Sequence, residues 1–243
     1  MASTSETGHA KNVANLETMI SYCTGYGTTY KPSNPEIALA ALTTLYNDSK
    51  AALKLVKTTE TSFNDVEGQR KLIFKSLKPL STKIFASLQS SGVPSTVLND
   101  AQTINRKIQG QRANNTTPIT TADAQIPKDK ISISQQSYDM QIDHFEKLIE
   151  LTLTQPKYSP NETPIKTTTL SNYKTQLQNI NTAVKNAYTP YFNAMIVRNK
   201  KLYDIQIGLT SKAKLVKAYV KSIYGASSPE YKGINSLSFR TIK

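Results

Sequence analysis

The sequence predicts an all-α protein made of two tandem related helical bundles, about four helices each, produced by an internal duplication. Three observations carry this reading. The segment Tyr30-Lys31-Pro32-Ser33-Asn34-Pro35-Glu36-Ile37 returns about 128 residues later as Tyr158-Ser159-Pro160-Asn161-Glu162-Thr163-Pro164-Ile165. An amphipathic stretch with apolar steps of three and four follows both copies. Strand-type alternation is confined to Ile131–Ile133 and Leu237–Phe239, each too short for more than an edge pairing. A chain of 243 residues accommodates two units of about 100 residues, each able to hold a core.

In chain order, a polar tail over residues 1–10 is expected to be disordered, and copy one to occupy 11–110. Its first helix follows from Val13, Leu16, Ile20 and Cys23, and Gly25 and Gly27 end it. Asn34 is placed to cap the next helix, with Pro35 at the first helical position, where a missing N–H costs nothing. That helix is expected to reach about Lys57 along Leu42, Leu45, Ser49, Ala52 and Val56. A separate third helix follows with Phe63, Val66, Arg70, Ile73 and Leu77 inward. Leu80, Ile84 and Leu88 mark a fourth, stopped by Gly92 and Pro94, and a short last helix covers Ser95 to Ile108.

Residues 111–132, with Asn114-Asn115-Thr116-Thr117-Pro118, read as a linker or crossover. Copy two then occupies 133–243. Its seam of Leu170, Tyr173, Leu177, Ile180, Val184 and Ala187 is the clearest periodic signal in the chain. Phe192, Met195, Asn199 and Leu202 are expected inward on the next helix, and Leu215, Tyr219 and Ile223 on the one after. Gly225 and Pro229 close that helix, and a short one follows to Leu237.

Arg198-Asn199-Lys200-Lys201-Leu202-Tyr203 and Tyr219-Val220-Lys221-Ser222-Ile223-Tyr224-Gly225-Ala226-Ser227-Ser228-Pro229-Glu230-Tyr231-Lys232 resemble segments of uncharacterised helical-bundle proteins from bacteria of the Bacteroidetes type. The resemblance covers about 45 residues. It implies a duplicated all-helical fold and carries over no activity and no functional residue.

Chemistry finds little support in the residue types. A di-iron bundle needs two Glu-x-x-His pairs, but of the two histidines His144 follows Gln141 and His9 lies in the tail. Zinc fails the same count. Gly25-Tyr26-Gly27 lacks the third glycine and preceding strand of a dinucleotide site, and no phosphate loop occurs. The expectation is therefore a non-enzyme without cofactor or metal. Cys23 is the single cysteine, so no internal disulfide supports the fold. The N-terminus lacks the basic and apolar blocks of a signal peptide, and no apolar run reaches the ~18 residues of a membrane span, which together predict a cytoplasmic protein.

Net charge is +13, with 17 basic and 8 acidic residues over 128–243. Arg198, Lys200, Lys201, Lys212, Lys214, Lys217 and Lys221 are expected to form one basic surface for an anionic partner. The 13 tyrosines outnumber the six phenylalanines, and Tyr188, Tyr191, Tyr203, Tyr224 and Tyr231 are candidates for contact with a protein partner or a second copy. The leading functional reading is a structural or protein-interaction module, self-assembling through repeated faces. Non-sequence-specific nucleic-acid binding through the basic surface comes second, and action at anionic membranes third.

Overall fold

A computed structural model describes residues 4–111 and 135–241. They form the helices α1 (Thr4–Gly25), α2 (Leu39–Lys75), α3 (Leu77–Ser90), α4 (Ser95–Gln109), α5 (Tyr138–Leu153), α6 (Thr167–Tyr203), α7 (Leu209–Tyr224) and α8 (Pro229–Asn235). Single 3₁₀ turns at Pro35–Ile37 and Thr163–Ile165 precede the two long helices. The architecture is all-helical, with no strand among the described residues. Apart from Gln111, the expected linker lies outside them, as does the Ile131–Ile133 alternation.

Two expectations fail because polar residues do more helical work than periodicity credits. The tail does not extend to residue 10: α1 begins at Thr4, and His9 is buried in hydrogen-bond contact with the Tyr203 hydroxyl. The break near Lys57 is also absent, since α2 runs unbroken for 37 residues. Its run of hydroxyl residues is satisfied within the helix, with Thr58, Thr59, Thr61 and Ser62 each donating to the carbonyl four residues back, at 2.8–3.2 Å. In α6 the chain continues helically through Pro190, whose ring removes one backbone donor without ending the helix.

The compact units are not the tandem blocks 11–110 and 133–243. One consists of Met1–Phe63 with Ala187–Lys243, the other of Asn64–Asn186. The reason is the length of α2 and α6, which span the division and give each core half of each long helix. In the first unit the core gathers Val13, Leu16, Met19 and Cys23 of α1, Leu42 of α2, Leu202 of α6, and Leu209, Ala213, Val216 and Val220 of α7. In the second it gathers Phe74 of α2, Leu77, Ile84 and Leu88 of α3, Ala101 and Ile108 of α4, Ile142, Phe145 and Leu148 of α5, and Leu170 and Leu177 of α6.

The periodic seams of both long helices are confirmed at Leu42, Ser49, Ala52 and Val56 and at Leu170, Leu177 and Val184, all buried. The face expected for α7 is corrected. Leu209, Ala213, Val216 and Val220 are buried, whereas Leu215 is 42% exposed. The inward face of α7 therefore aligns with Leu77, Ser81, Ile84 and Leu88 of α3 at a shift of 132, because the segment between α6 and α7 is longer than that between α2 and α3.

Local geometry repeats at the shift of 128. Asn34 accepts from the Glu36 N–H at 3.0 Å and Pro35 opens the 3₁₀ turn, so the expected cap is present, on a 3₁₀ turn that leads into α2. The buried Tyr30 hydroxyl donates to the Ile37 carbonyl at 2.6 Å, and the buried Tyr158 hydroxyl donates to the Ile165 carbonyl at 2.8 Å. Each bond closes the loop before a long helix onto the turn that starts it. Tyr30→Phe and Tyr158→Phe are each expected to cost about 1–3 kcal/mol, since a buried carbonyl loses its donor. Urea unfolding of the two single variants measures this, and a loss below about 0.3 kcal/mol in either would show that water replaces the hydroxyl.

In the first unit the C-terminal segment is held to α1 by asparagine side chains. Asn12 donates to the Arg240 carbonyl at 2.7 Å and accepts from its N–H at 3.0 Å, and Asn15 donates to the Ser238 carbonyl at 2.6 Å. The amides give the extended backbone partners of the kind a neighbouring strand supplies. Leu237 and Phe239 meanwhile pack on the core. The alternation at Leu237–Phe239 is thus real, and its partner is a helix.

In the second unit His144 is buried on α5, with its Nδ1 3.7 Å from an Asp143 oxygen and its Nε2 without a hydrogen-bond partner among the described residues. Burial, helped by the nearby Lys107, lowers its pKa below 6.5 against the opposing pull of Asp143. The unfolded chain then binds a proton that the native state refuses, so the ring's contribution is intact above about pH 6.5 and is lost as pH falls below it. His144→Asn should flatten the stability profile between pH 7 and 5, measured by urea midpoints; an unchanged slope would remove His144 as the cause.

Candidate functional site

The C-terminal half of α6 has an inner and an outer face. Ala194, Arg198 and Leu202, at steps of four, are buried. Tyr188, Phe192, Ile196 and Lys200 repeat the same step on the other side. Tyr188, Phe192 and Ile196 are 45%, 46% and 51% exposed, and the neighbouring Val197 is 45% exposed.

The aromatic members of this stripe are ordered against one another. The Tyr188 and Phe192 rings lie 6.0 Å apart and nearly parallel, at 25°. Phe63 of α2 meets Tyr188 edge-on at 5.5 Å and stacks on Tyr191 at 5.9 Å. Rings already held in place lose little rotamer freedom on binding, so contact made there keeps more of its gross energy.

One cation extends the stripe. Lys200 continues it at the next step of four. In this unit α2 runs antiparallel to α6, as the Phe63–Tyr188 contact and the Lys201–Asp48 ion pair at 2.8 Å require. That register sets Lys54 and Lys57, both exposed, level with Ala194–Val197, with Glu60 the one acid on this stretch of α2. The unit as a whole carries 15 basic and 7 acidic residues.

Of the five tyrosines taken as contact candidates, Tyr188 and Tyr191 come together here. The others serve the interior of the unit. Tyr203 accepts from Asn12 at 3.4 Å beside His9, Tyr224 packs on Tyr26 with centroids 5.2 Å apart, and Tyr231 lies under the Lys221 ammonium at 5.9 Å.

The basic surface expected from the sequence is not assembled. Lys212 is buried and donates to Glu36 at 2.6 Å. Arg198 is buried and donates to the Asn199 side-chain oxygen through Nε at 3.1 Å and Nη2 at 3.0 Å. Lys201 is tied to Asp48. Lys217, half-buried with its pKa lowered by burial, donates to the Asn235 and Leu237 carbonyls at 3.0 and 2.6 Å. Lys200, Lys214 and Lys221 stay exposed. Helical position alone could not separate cations that close the fold from cations that face water.

Phe192 and Ile196 were missed as surface residues, Phe192 having been assigned to an inner face, whereas Phe63, also assigned inward, is half-buried. Their signal in the sequence is the spacing Tyr188-x-x-x-Phe192-x-x-x-Ile196, which is indistinguishable from a core stripe until the opposite face is seen to be buried. Among the described residues no group of three or more His, Cys, Asp or Glu side chains could hold a metal ion, and no helix is long and apolar enough to cross a membrane. Compared with protein-family models, curated proteins and solved structures, the chain has no match.

Proposed function

We propose that this chain is a non-catalytic protein-interaction module, built from two related copies of a helical unit, whose contact face is the Tyr188–Phe192–Ile196 stripe of α6. The carrying observation is an ordered, half-exposed aromatic and aliphatic stripe on a helix whose opposite face is fully used by the core. Duplication is supported by two 37-residue helices that start 128 residues apart, after 3₁₀ turns closed by equivalent tyrosine hydrogen bonds. In this reading each compact unit joins the first half of one copy to the second half of the other: α1 and the start of α2 with the end of α6, α7 and α8, and α5 and the start of α6 with the end of α2, α3 and α4.

The partner we assign is an acidic amphipathic helix. Lys200 continues the stripe, the unit that carries it has 15 basic and 7 acidic residues, and a net charge of +13 disfavours a second copy of the same chain on that face. A designed helical peptide with a leucine stripe flanked by glutamates, and its lysine-flanked twin, are suitable probes in fluorescence anisotropy. Saturable binding of the glutamate form alone supports the assignment, and equal binding of both or of neither rejects it. Dimerisation in light scattering that substitutions in the stripe abolish would make the face a self-contact. Anionic-vesicle binding with the same dependence would make it a lipid contact.

A further inference from the structure

The second unit contains a cleft of about 800 Å³ where the end of α2 and the start of α3 face the first turns of α6. That is within the ~300–1,000 Å³ usual for small-molecule sites. Its apolar wall is Leu80 and the ring of Tyr173. Tyr173 is fixed from two sides, its hydroxyl donating to the Ile73 carbonyl at 2.6 Å and its ring meeting Phe145 edge-on at 5.6 Å. The hydroxyl is therefore engaged, and what the ring offers the cleft is apolar surface. Asn172 and Gln176, one helical turn apart on α6 and both exposed, also line it, and their side-chain amides have no protein partner among the described residues. Lys75 and Lys83, both exposed, are the charged groups lining the cleft, and neither has an ion-pair partner among the described residues.

The first unit treats the corresponding positions differently. At the shift of 128, Pro164 and Gln176 of the cleft correspond to Glu36 and Asp48. These hold Lys212 and Lys201 in ion pairs of 2.6 and 2.8 Å, so cations there are neutralised within the fold. In the second unit both members of each pair are replaced, Glu36–Lys212 by Pro164 and Leu80 and Asp48–Lys201 by Gln176 and Ile73, while Lys75 and Lys83 line the cleft at positions where the first unit has Tyr203 and Leu215.

We infer that this cleft binds a small organic anion with a flat apolar body, its ring against Tyr173 and Leu80 and its charged group between Lys75 and Lys83. Asn172 and Gln176 supply the remaining donors and acceptors. The comparison of units rests on the duplication proposed above, whereas the binding itself does not.

Isothermal titration of the full chain with phenyl phosphate, inorganic phosphate and benzyl alcohol tests the assignment. Phenyl phosphate is expected to saturate one site per chain and to bind at least about tenfold more tightly than either other probe. Lys75→Glu with Lys83→Glu should weaken it at least about tenfold, while Lys11→Glu with Lys214→Glu, an equal charge change elsewhere, should alter it less than about twofold. Asn172→Ala with Gln176→Ala gives a second, charge-neutral variant, expected to lose about fivefold with unchanged circular dichroism. Absence of saturation, equal losses in the two charge variants, or inorganic phosphate binding as tightly as phenyl phosphate would overturn the site. Substitutions in the α6 stripe should leave this titration untouched, which separates its failure from failure of the interaction-module reading.

Discussion

Phe145→Ala is expected to lower the unfolding free energy by about 3–5 kcal/mol. Phe145 of α5 is fully buried in the second unit's core, its ring edge-on to that of the partly buried Tyr173. Truncation removes the transfer energy of the ring and leaves a cavity, because close-packed neighbours relax only in part. Leu16→Ala, on the buried face of α1 in the first unit's core, is expected to cost about 2–5 kcal/mol. Urea denaturation followed by circular dichroism measures both, and a loss below about 1 kcal/mol at Phe145 would contradict its position in the core. Each long helix has residues in both cores, so either truncation should shift a single transition. Two separated transitions would show that the halves of α2 and α6 melt independently.

The second large effect is expected at the outer face of α6. Tyr188→Ser, Phe192→Ser and Ile196→Ser combined should weaken the glutamate-flanked helical peptide about 100- to 1,000-fold, since buried aromatic anchors each contribute about 2 kcal/mol or more and such contributions are not additive. All three side chains are about half exposed, so stability should change far less than in Phe145→Ala. Lys200→Glu alone should mainly slow association and reduce its salt dependence. A triple variant that binds as tightly as the original would move the contact off this face.

Much of the fold was legible from local rules. The apolar periods of α2 and α6, the Asn34-Pro35 start, and the glycines at 92 and 225 with positive φ all follow from interactions within a few residues. The repeated Tyr30 and Tyr158 segments also announced equivalent loops, and the two hydrogen bonds to Ile37 and Ile165 bear this out.

The errors have a common cause. The helix expected to end near Lys57 continues, because Thr58 to Ser62 bond the carbonyls of the preceding turn. Phe192 looked like core and Lys212 like surface because both were judged by residue type, and each faces the other way. Lys212 can be buried only because Glu36, 176 residues distant in sequence, meets its ammonium.

By itself, the sequence determined that the chain is helical, where its strongest seams lie, and where its recurring turns fall, because these depend on backbone propensity and on neighbours within one or two helical turns. Tertiary structure alone decided which halves of α2 and α6 share a core, which lysines are consumed by the fold, and which aromatic stripe is left outside. Burial is a property of a residue's whole surroundings, and for a helix with apolar side chains on more than one face only the packing partners choose which face is hidden.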